Sequence, residues 1–206
     1  MLKGYSGCLK PFFVIGFTVL FLTGIYGQQN QNNKMKKEDE TKSSIQPWNK
    51  ELRISPKAFV MQTVGLKDIS ISYSRPGVKG RKIWGGLVPY DEVWRAGANE
   101  ATKFVFTTDV LINGKKLPAG SYSFFVIPTK TDWTLIFNKV ADQWGAFEYN
   151  QAEDIMRFTV KPHLTEFAEW LEYTFSDMKV NKDGKNSAVV NLIWEKMKVP
   201  FTVEVE

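Results

Sequence analysis

Between Tyr73 and Thr102 the chain reads YSRPGVKGRKIWGGLVPYDEVWRAGANEAT, and the residues best suited to chemistry are concentrated there. Arg75, Arg81 and Arg95 supply three guanidinium groups, with Lys79 and Lys82 beside them and Asp91, Glu92 and Glu100 as the acids. A guanidinium is a planar fork that suits carboxylates, phosphates and sugar hydroxyls. Asn99 can donate and accept at once, and Trp84 and Trp94 offer flat apolar faces. Together they describe a site for a small anionic or polyhydroxylated ligand. The ligand-binding candidates are Arg75, Arg81, Trp94, Arg95, Asn99 and Glu100.

The same residues have a structural reading. A long loop must satisfy its buried carbonyls, and arginine is a good strut for that task. On this reading Arg95 pairs with Glu100, Asn99 occupies a turn at positive φ, and the tryptophans fill core. Gly97-Ala98 would then let the backbone pass close to another strand.

Catalysis finds less support. The chain has one histidine, His163, and a lone histidine is more often an edge or surface residue than a general base. No Gly-x-Ser-x-Gly elbow, His-Glu-x-x-His pair or phosphate-cradling loop occurs. Glu100 with Asp91 or Glu92 could serve glycoside cleavage, which needs only two acids. Asp142, Glu148, Glu153 and Asp154 are a further, unspecific set of acids. A transition-metal site is not expected from this residue set, nor is a cofactor.

The elements that must position these residues are strands. Ala58–Val64 is a strand segment, and so, on its apolar pattern, is Leu52–Ile54. Asp68–Ser74 alternates cleanly, with Ile69, Ile71 and Tyr73 on one face. Phe104 and Phe106 share a face, and Val110–Ile112 leads into Asn113-Gly114, which favours a tight hairpin. Further strands are predicted within Leu117–Pro128, Trp133–Asn138, Ile155–Val160 and Glu169–Phe175. After a turn at Asn181–Gly184, Ala188, Val190, Leu192 and Trp194 share one face, and Val199, Phe201, Val203 and Val205 share another. A second irregular loop, Lys139–Asp154, contains Trp144, Phe147 and Tyr149. Many short strands with Gly/Pro turns predict an all-β fold, an antiparallel sandwich or a barrel-like, jelly-roll-like domain of about 9–10 strands.

The domain is expected to span residues 47–206. Residues 1–27 read as a signal peptide, with Lys3 and Lys10 before an apolar run that ends at Gly27. An uncleaved membrane anchor is the alternative. The single cysteine, Cys8, precedes the run, where a lipid-modified cysteine would have to follow it, so a lipoprotein is disfavoured and the mature chain holds no cysteine. Residues 28–46 are polar and charged, which predicts a disordered linker. The net charge is +5, and removal of Lys3 and Lys10 leaves +3 (5 − 2). Those charges are interspersed, so nucleic acid is not an expected partner. A periplasmic or extracellular location follows from the leader.

YSRPGVKGRKIWGGLVPY, VWRAGANEAT, GKKLPAGSYSFFVIP and WTLIFNK together resemble the domain of unknown function 2911 family, over roughly Ile54 to the C-terminus. The resemblance implies an exported protein of the kind found mainly in Gram-negative bacteria, and implies no activity, substrate or cofactor. Three functions follow as expectations. The first is a non-catalytic envelope module binding a small polar ligand or saccharide, with Trp144, Phe147 and Tyr149 as additional contacts. The second is a carboxylate-dependent hydrolase of saccharides or esters, with Glu100 as the acid. The third is a structural or interaction domain whose strand edge pairs with an envelope protein.

Overall fold

A computed structural model describes residues 52–182 and 184–205. The predicted leader (1–27), the linker (28–46) and the first residues of the expected domain, 47–51, lie outside the described residues. Ten strands follow in chain order: β1 (Lys57–Val64), β2 (Lys67–Ser74), β3 (Thr102–Phe106), β4 (Val110–Ile112), β5 (Lys115–Leu117), β6 (Gly120–Ile127), β7 (Trp133–Asn138), β8 (Asp154–Val160), β9 (His163–Lys179) and β10 (Asn186–Val205). One 3-10 turn, Gln151–Glu153, is the only helical element among the described residues. A six-stranded sheet runs β1-β2-β3-β6-β7-β8 and a four-stranded sheet runs β5-β4-β10-β9, with antiparallel pairing throughout. The two sheets pack face to face and do not close on each other, so the fold is a sandwich and not a barrel.

Period-two alternation accounts for the packing. Ile69, Ile71 and Tyr73 of β2, Phe104 and Phe106 of β3, and Phe124 and Val126 of β6 all enter the core between the sheets. From the facing sheet, Phe201 of β10 meets Phe124 at 5.8 Å, Phe158 at 5.7 Å and Phe104 at 6.0 Å between ring centroids. The β4–β5 connection is the tight hairpin expected of Asn113-Gly114, with φ of 45° and 77°.

In β10 the inward residues change parity. Ala188, Val190, Leu192 and Trp194 are even-numbered, Val199, Phe201, Val203 and Val205 are odd, and all eight lie in the same core. Glu195, at φ 56°, stands where the pairing with β9 shifts register. The left-handed backbone at Glu195 breaks the alternation and flips the faces that follow it, so what reads as two differently facing segments is one twenty-residue strand.

Two further expectations are corrected. Leu52–Ile54 forms no strand: Leu52 and Ile54 are exposed and have no layer to bury against, and Arg53 turns toward Glu100. β9 is much longer than the predicted Glu169–Phe175, because its first half, largely exposed, continues to pair with β10 as far as His163.

The irregular stretch between β2 and β3 is part of the core. Val78, Ile83, Val88, Trp94 and Ala96 are buried with the sheet residues. Trp84 lies 4.5 Å from Trp133 at the start of β7 and 5.8 Å from Trp194 of β10, and Trp94 stacks on Trp194 at 5.8 Å. Four indoles thus join the loop to both sheets. Replacing Trp94 with alanine should cost about 3–5 kcal/mol, the usual loss for a large buried aromatic. Urea unfolding of the variant checks this, and a loss under about 1 kcal/mol would mean that the cluster is not what fixes the loop.

Candidate functional site

Backbone hydrogen bonds, not a regular period, shape the first loop. Val78 N–H donates to Glu169 O and Leu171 N–H to Pro76 O, so residues 76–78 cover part of the outer edge of β9. Trp94 exchanges both backbone bonds with Val126 at 2.8 Å, extending the sheet beside β6 where β3 ends. Lys79, Asp91, Ala96 and Asn99 all have positive φ. Such conformations are uncommon outside glycine and are held by tertiary contacts. Ala96 shows how: its carbonyl accepts from Thr102 Oγ1 and from Tyr173 Oη, both at 2.9 Å. Tyr173 is fully buried, and that burial pushes its phenol well above the ordinary value.

The second loop, between β7 and β8, folds over the outer face of the six-stranded sheet. Phe125 and Ile136 point outward from β6 and β7 and are nevertheless fully buried, packed with Ala101 and with Val93, Ala146 and Tyr149 from the two loops. Asp154 anchors the far end. It accepts from Asn138 Nδ2 at 2.8 Å, Tyr149 Oη at 2.6 Å and Arg157 Nε at 2.6 Å, and Arg157 also donates to Tyr149 Oη. Burial first, then the bond to Asp154, pushes the Tyr149 phenol up to about 12. Tyr149 is therefore a neutral brace at physiological pH.

The two loops meet along a short seam. Ala101 N–H donates to Gln143 O and Gly145 N–H to Asn99 O, with Glu100 facing Trp144 across an antiparallel bridge. Lys103 reaches Asp142 at 2.7 Å. Beside this seam Trp144 is 56% and Phe147 84% exposed. Gly145, at φ 67°, sits between Phe147 and Arg95. A Cβ placed on it would lie 3.0 Å from the Phe147 ring and 3.9 Å from Arg95 Nη1.

The six predicted site residues separate into different roles. Arg75 is a strut, with Nε on Leu171 O at 2.8 Å and Nη2 3.4 Å from Glu172. Arg81 closes its own turn through Val78 O and Gly77 O. Trp94 is core, its indole N–H on Gly97 O. Asn99 holds the turn at φ 58° and donates to Ser55 O. The expected Arg95–Glu100 pair does not form. Glu100 is instead gripped by Arg53 Nη1, at 2.7 and 2.8 Å to its two oxygens, and by Lys57 Nζ at 3.2 Å. Arg53 was not singled out from the sequence, because 47 residues separate it from Glu100 and no local pattern signals such a pair.

Arg95 is left without a hydrogen-bond or ion-pair partner among the described residues, and its Nε is buried. Burial alone lowers its pKa. On the same seam Gln143, which donates to Ser123 Oγ and Val140 O, leaves Oε1 buried and unpartnered. Buried donors and acceptors are nearly always matched, so both atoms call for an explanation. Among the described residues no three His, Cys, Asp or Glu side chains gather so as to hold a metal ion. Glu100, held by two cations, is poorly placed to give up or receive a proton, and His163 is exposed at the start of β9.

Fold and site define a class: an all-β sandwich that carries a loop-built patch on the outer face of one sheet. The chain belongs to the family described as Protein of unknown function (DUF2911), which it matches over residues 55–203. No curated protein matches the chain, and no solved structure does.

Three predictions follow from the geometry. Burial pushes the Glu100 carboxyl up, but the bonds from Arg53, from its own backbone N–H and from Lys57 outweigh this and hold it below the ordinary value. A depressed folded pKa gives stability that is present above the unfolded value, about 4.3, and lost as pH falls through the folded one. The side chain is 36% exposed, so screening keeps this contribution under about 1 kcal/mol. Glu100→Gln should remove it at pH 7, and the gap from wild type should close by pH 3, read by urea unfolding at both pH values. Arg95→Met, in contrast, breaks no bond and should change stability by less than about 0.5 kcal/mol, or raise it. Gly145→Ala should cost about 1–2 kcal/mol for the left-handed backbone alone and displace the Phe147 ring, visible in its NMR shifts.

Proposed function

We propose that this is an exported, non-catalytic module that binds a small polar ligand or saccharide on the patch where the two loops meet. One observation carries the reading: the exposed ring of Phe147, with exposed Trp144 next to Gly145, stands beside an arginine that has no partner among the described residues. Exposed aromatics next to hydrogen-bonding groups suit sugar rings, whose C–H faces lie flat on them. The bridges at Ala101–Gln143 and Asn99–Gly145 hold the patch in place before any ligand arrives, which lowers the entropy cost of binding. Glu100, engaged by Arg53 and Lys57, is poorly placed to serve as the acid of the hydrolase reading. The partial cover of β9 by residues 76–78 weighs against strand pairing at that edge.

The test is calorimetric titration of the mature chain with glucose, N-acetylglucosamine and glucuronate, repeated for Trp144→Ala and Phe147→Ala. Both residues are surface-exposed, so the variants should fold normally. Binding of at least one sugar, weakened about tenfold by either substitution, is the expected result. Affinity that ignores both substitutions would place the ligand elsewhere. Export is checked by the mass of the protein in the periplasmic fraction: an N-terminus at Gln28 is expected, and one at Met1 would contradict it.

A further inference from the structure

The fold leaves the guanidinium of Arg95 unfinished. Arginine keeps its charge in proteins, and here the cation is half-buried with Nε shielded from water and no carboxylate or carbonyl of the described residues on it. A shielded, unmatched cation is unfavourable in the unliganded protein. Residues held in an unfavourable state by the surrounding structure cluster at ligand sites. The ion pairs along the seam do not relieve it. Arg53 and Lys57 both point at Glu100, and Lys103 is matched by Asp142. Summed over these six side chains, four cations face two carboxylates, and the surplus includes Arg95.

Arg95 also stands close to an exposed aromatic ring. A Cβ on Gly145 would lie 3.9 Å from Nη1 and 3.0 Å from the Phe147 ring, so the two side chains flank Gly145 with no room for a carbon between them. A group that reaches the guanidinium from solvent therefore has the aromatic face of Phe147 beside it. A neutral hydroxyl would satisfy one N–H and leave the charge unmatched. An oxyanion would satisfy both, since carboxylates and phosphates accept paired N–H bonds from a guanidinium.

Resting on the binding reading above, we infer that Arg95 receives the oxyanion of an acidic small molecule, a carboxylate or phosphate carried on a ring that lies against Phe147. The ligand class is then a sugar acid or sugar phosphate and not a neutral sugar. Tyr149 and Asp154 take no part, because their polar atoms are spent on each other and on Arg157 and Asn138.

The experiment titrates the mature chain at constant ionic strength with glucose, glucuronate, glucose 6-phosphate and inorganic phosphate, in wild type, Arg95→Lys and Arg95→Gln. Glucuronate or glucose 6-phosphate should bind at least about tenfold more tightly than glucose, the scale of a charge-assisted paired bond. That preference should shrink to about twofold in Arg95→Gln, with Arg95→Lys between the two. Whichever of the two acids is preferred identifies the anion as carboxylate or phosphate, and inorganic phosphate binding alone shows how much the ring adds. Binding is also followed in wild type by the Arg95 Nε–H resonance, assigned by its loss in Arg95→Lys, and folding of the variants is checked by their backbone amide spectra. The Nε–H resonance should shift on addition of the acidic probes and stay unmoved by glucose. Equal affinity for glucose and both acids would overturn the inference and leave the binding reading standing. So would an acid preference that survives Arg95→Gln. Binding of none of the four probes, with an unmoved Nε–H signal, would overturn both.

Discussion

Trp94 stacked on Trp194, with their rings 5.8 Å apart and 20° from parallel, is the contact on which the site depends. Trp194 belongs to one sheet, and Trp94 is tied by its backbone to Val126 of the other. The loop before β3 is therefore clamped between layers, and its residues inherit a fixed facing. Val93 packs into the outer cluster and Trp94 into the inner core. In an extended segment the next side chain returns to the outer side, which carries Arg95 outward. A slip of one residue would bury the guanidinium and expose the indole. The indole cluster thus sets where the cation stands.

Charge is then distributed by partners from outside the loop. Glu100 follows Arg95 by five positions and would be its natural counter-ion, yet it lies in the bridge to Trp144 and takes Arg53 and Lys57 from the segment entering β1. A carboxylate that already accepts from two cations has little to gain from a third. Asn99 is similarly occupied, through its amide on Ser55 and its carbonyl on Gly145. The neighbouring carboxylate and amide are thus engaged elsewhere, which leaves Arg95, like Gln143 Oε1 on the same seam, without a partner among the described residues.

The sandwich was legible because strands declare themselves by alternation: Ile69, Ile71 and Tyr73, or Phe104 and Phe106, face inward as their spacing requires. The switch in β10 was half legible. Its two apolar faces were visible, but the bulge at Glu195 that reconciles them was not, since glutamate carries no signal for positive φ. The outer cluster left a trace. FFVI in β6 and LIF in β7 are apolar on consecutive positions, and strands covered on both faces read that way. In the loop, local signals failed for a physical reason. Its conformation rests on carbonyls met from afar, as Ala96 is met by Tyr173 across 77 positions. Residue types at Arg95, Asn99 and Glu100 drew attention to this stretch, while the pairing of Glu100 with Arg53 depends on chain segments that only folding brings together.

Between the sheets, aromatic rings fill the described core. Phenylalanines from both sheets interlock around Phe201, and the indoles fill the space beneath the loop. A sandwich whose centre is filled with aromatic rings can present a polar site only on its outside. To do so with definition it must cover part of a sheet face and stiffen the cover. Both occur here: Phe125 and Ile136 give the loops something to pack on, and the Tyr149–Asp154–Arg157 group fastens the second loop at its far end. Rigid support beneath exposed Trp144 and Phe147 costs stability unless those rings gain from being outside. The same reasoning applies to the uncompensated charge of Arg95. These two local departures from what folding alone favours, set side by side on a braced platform, are the grounds for the proposed ligand site.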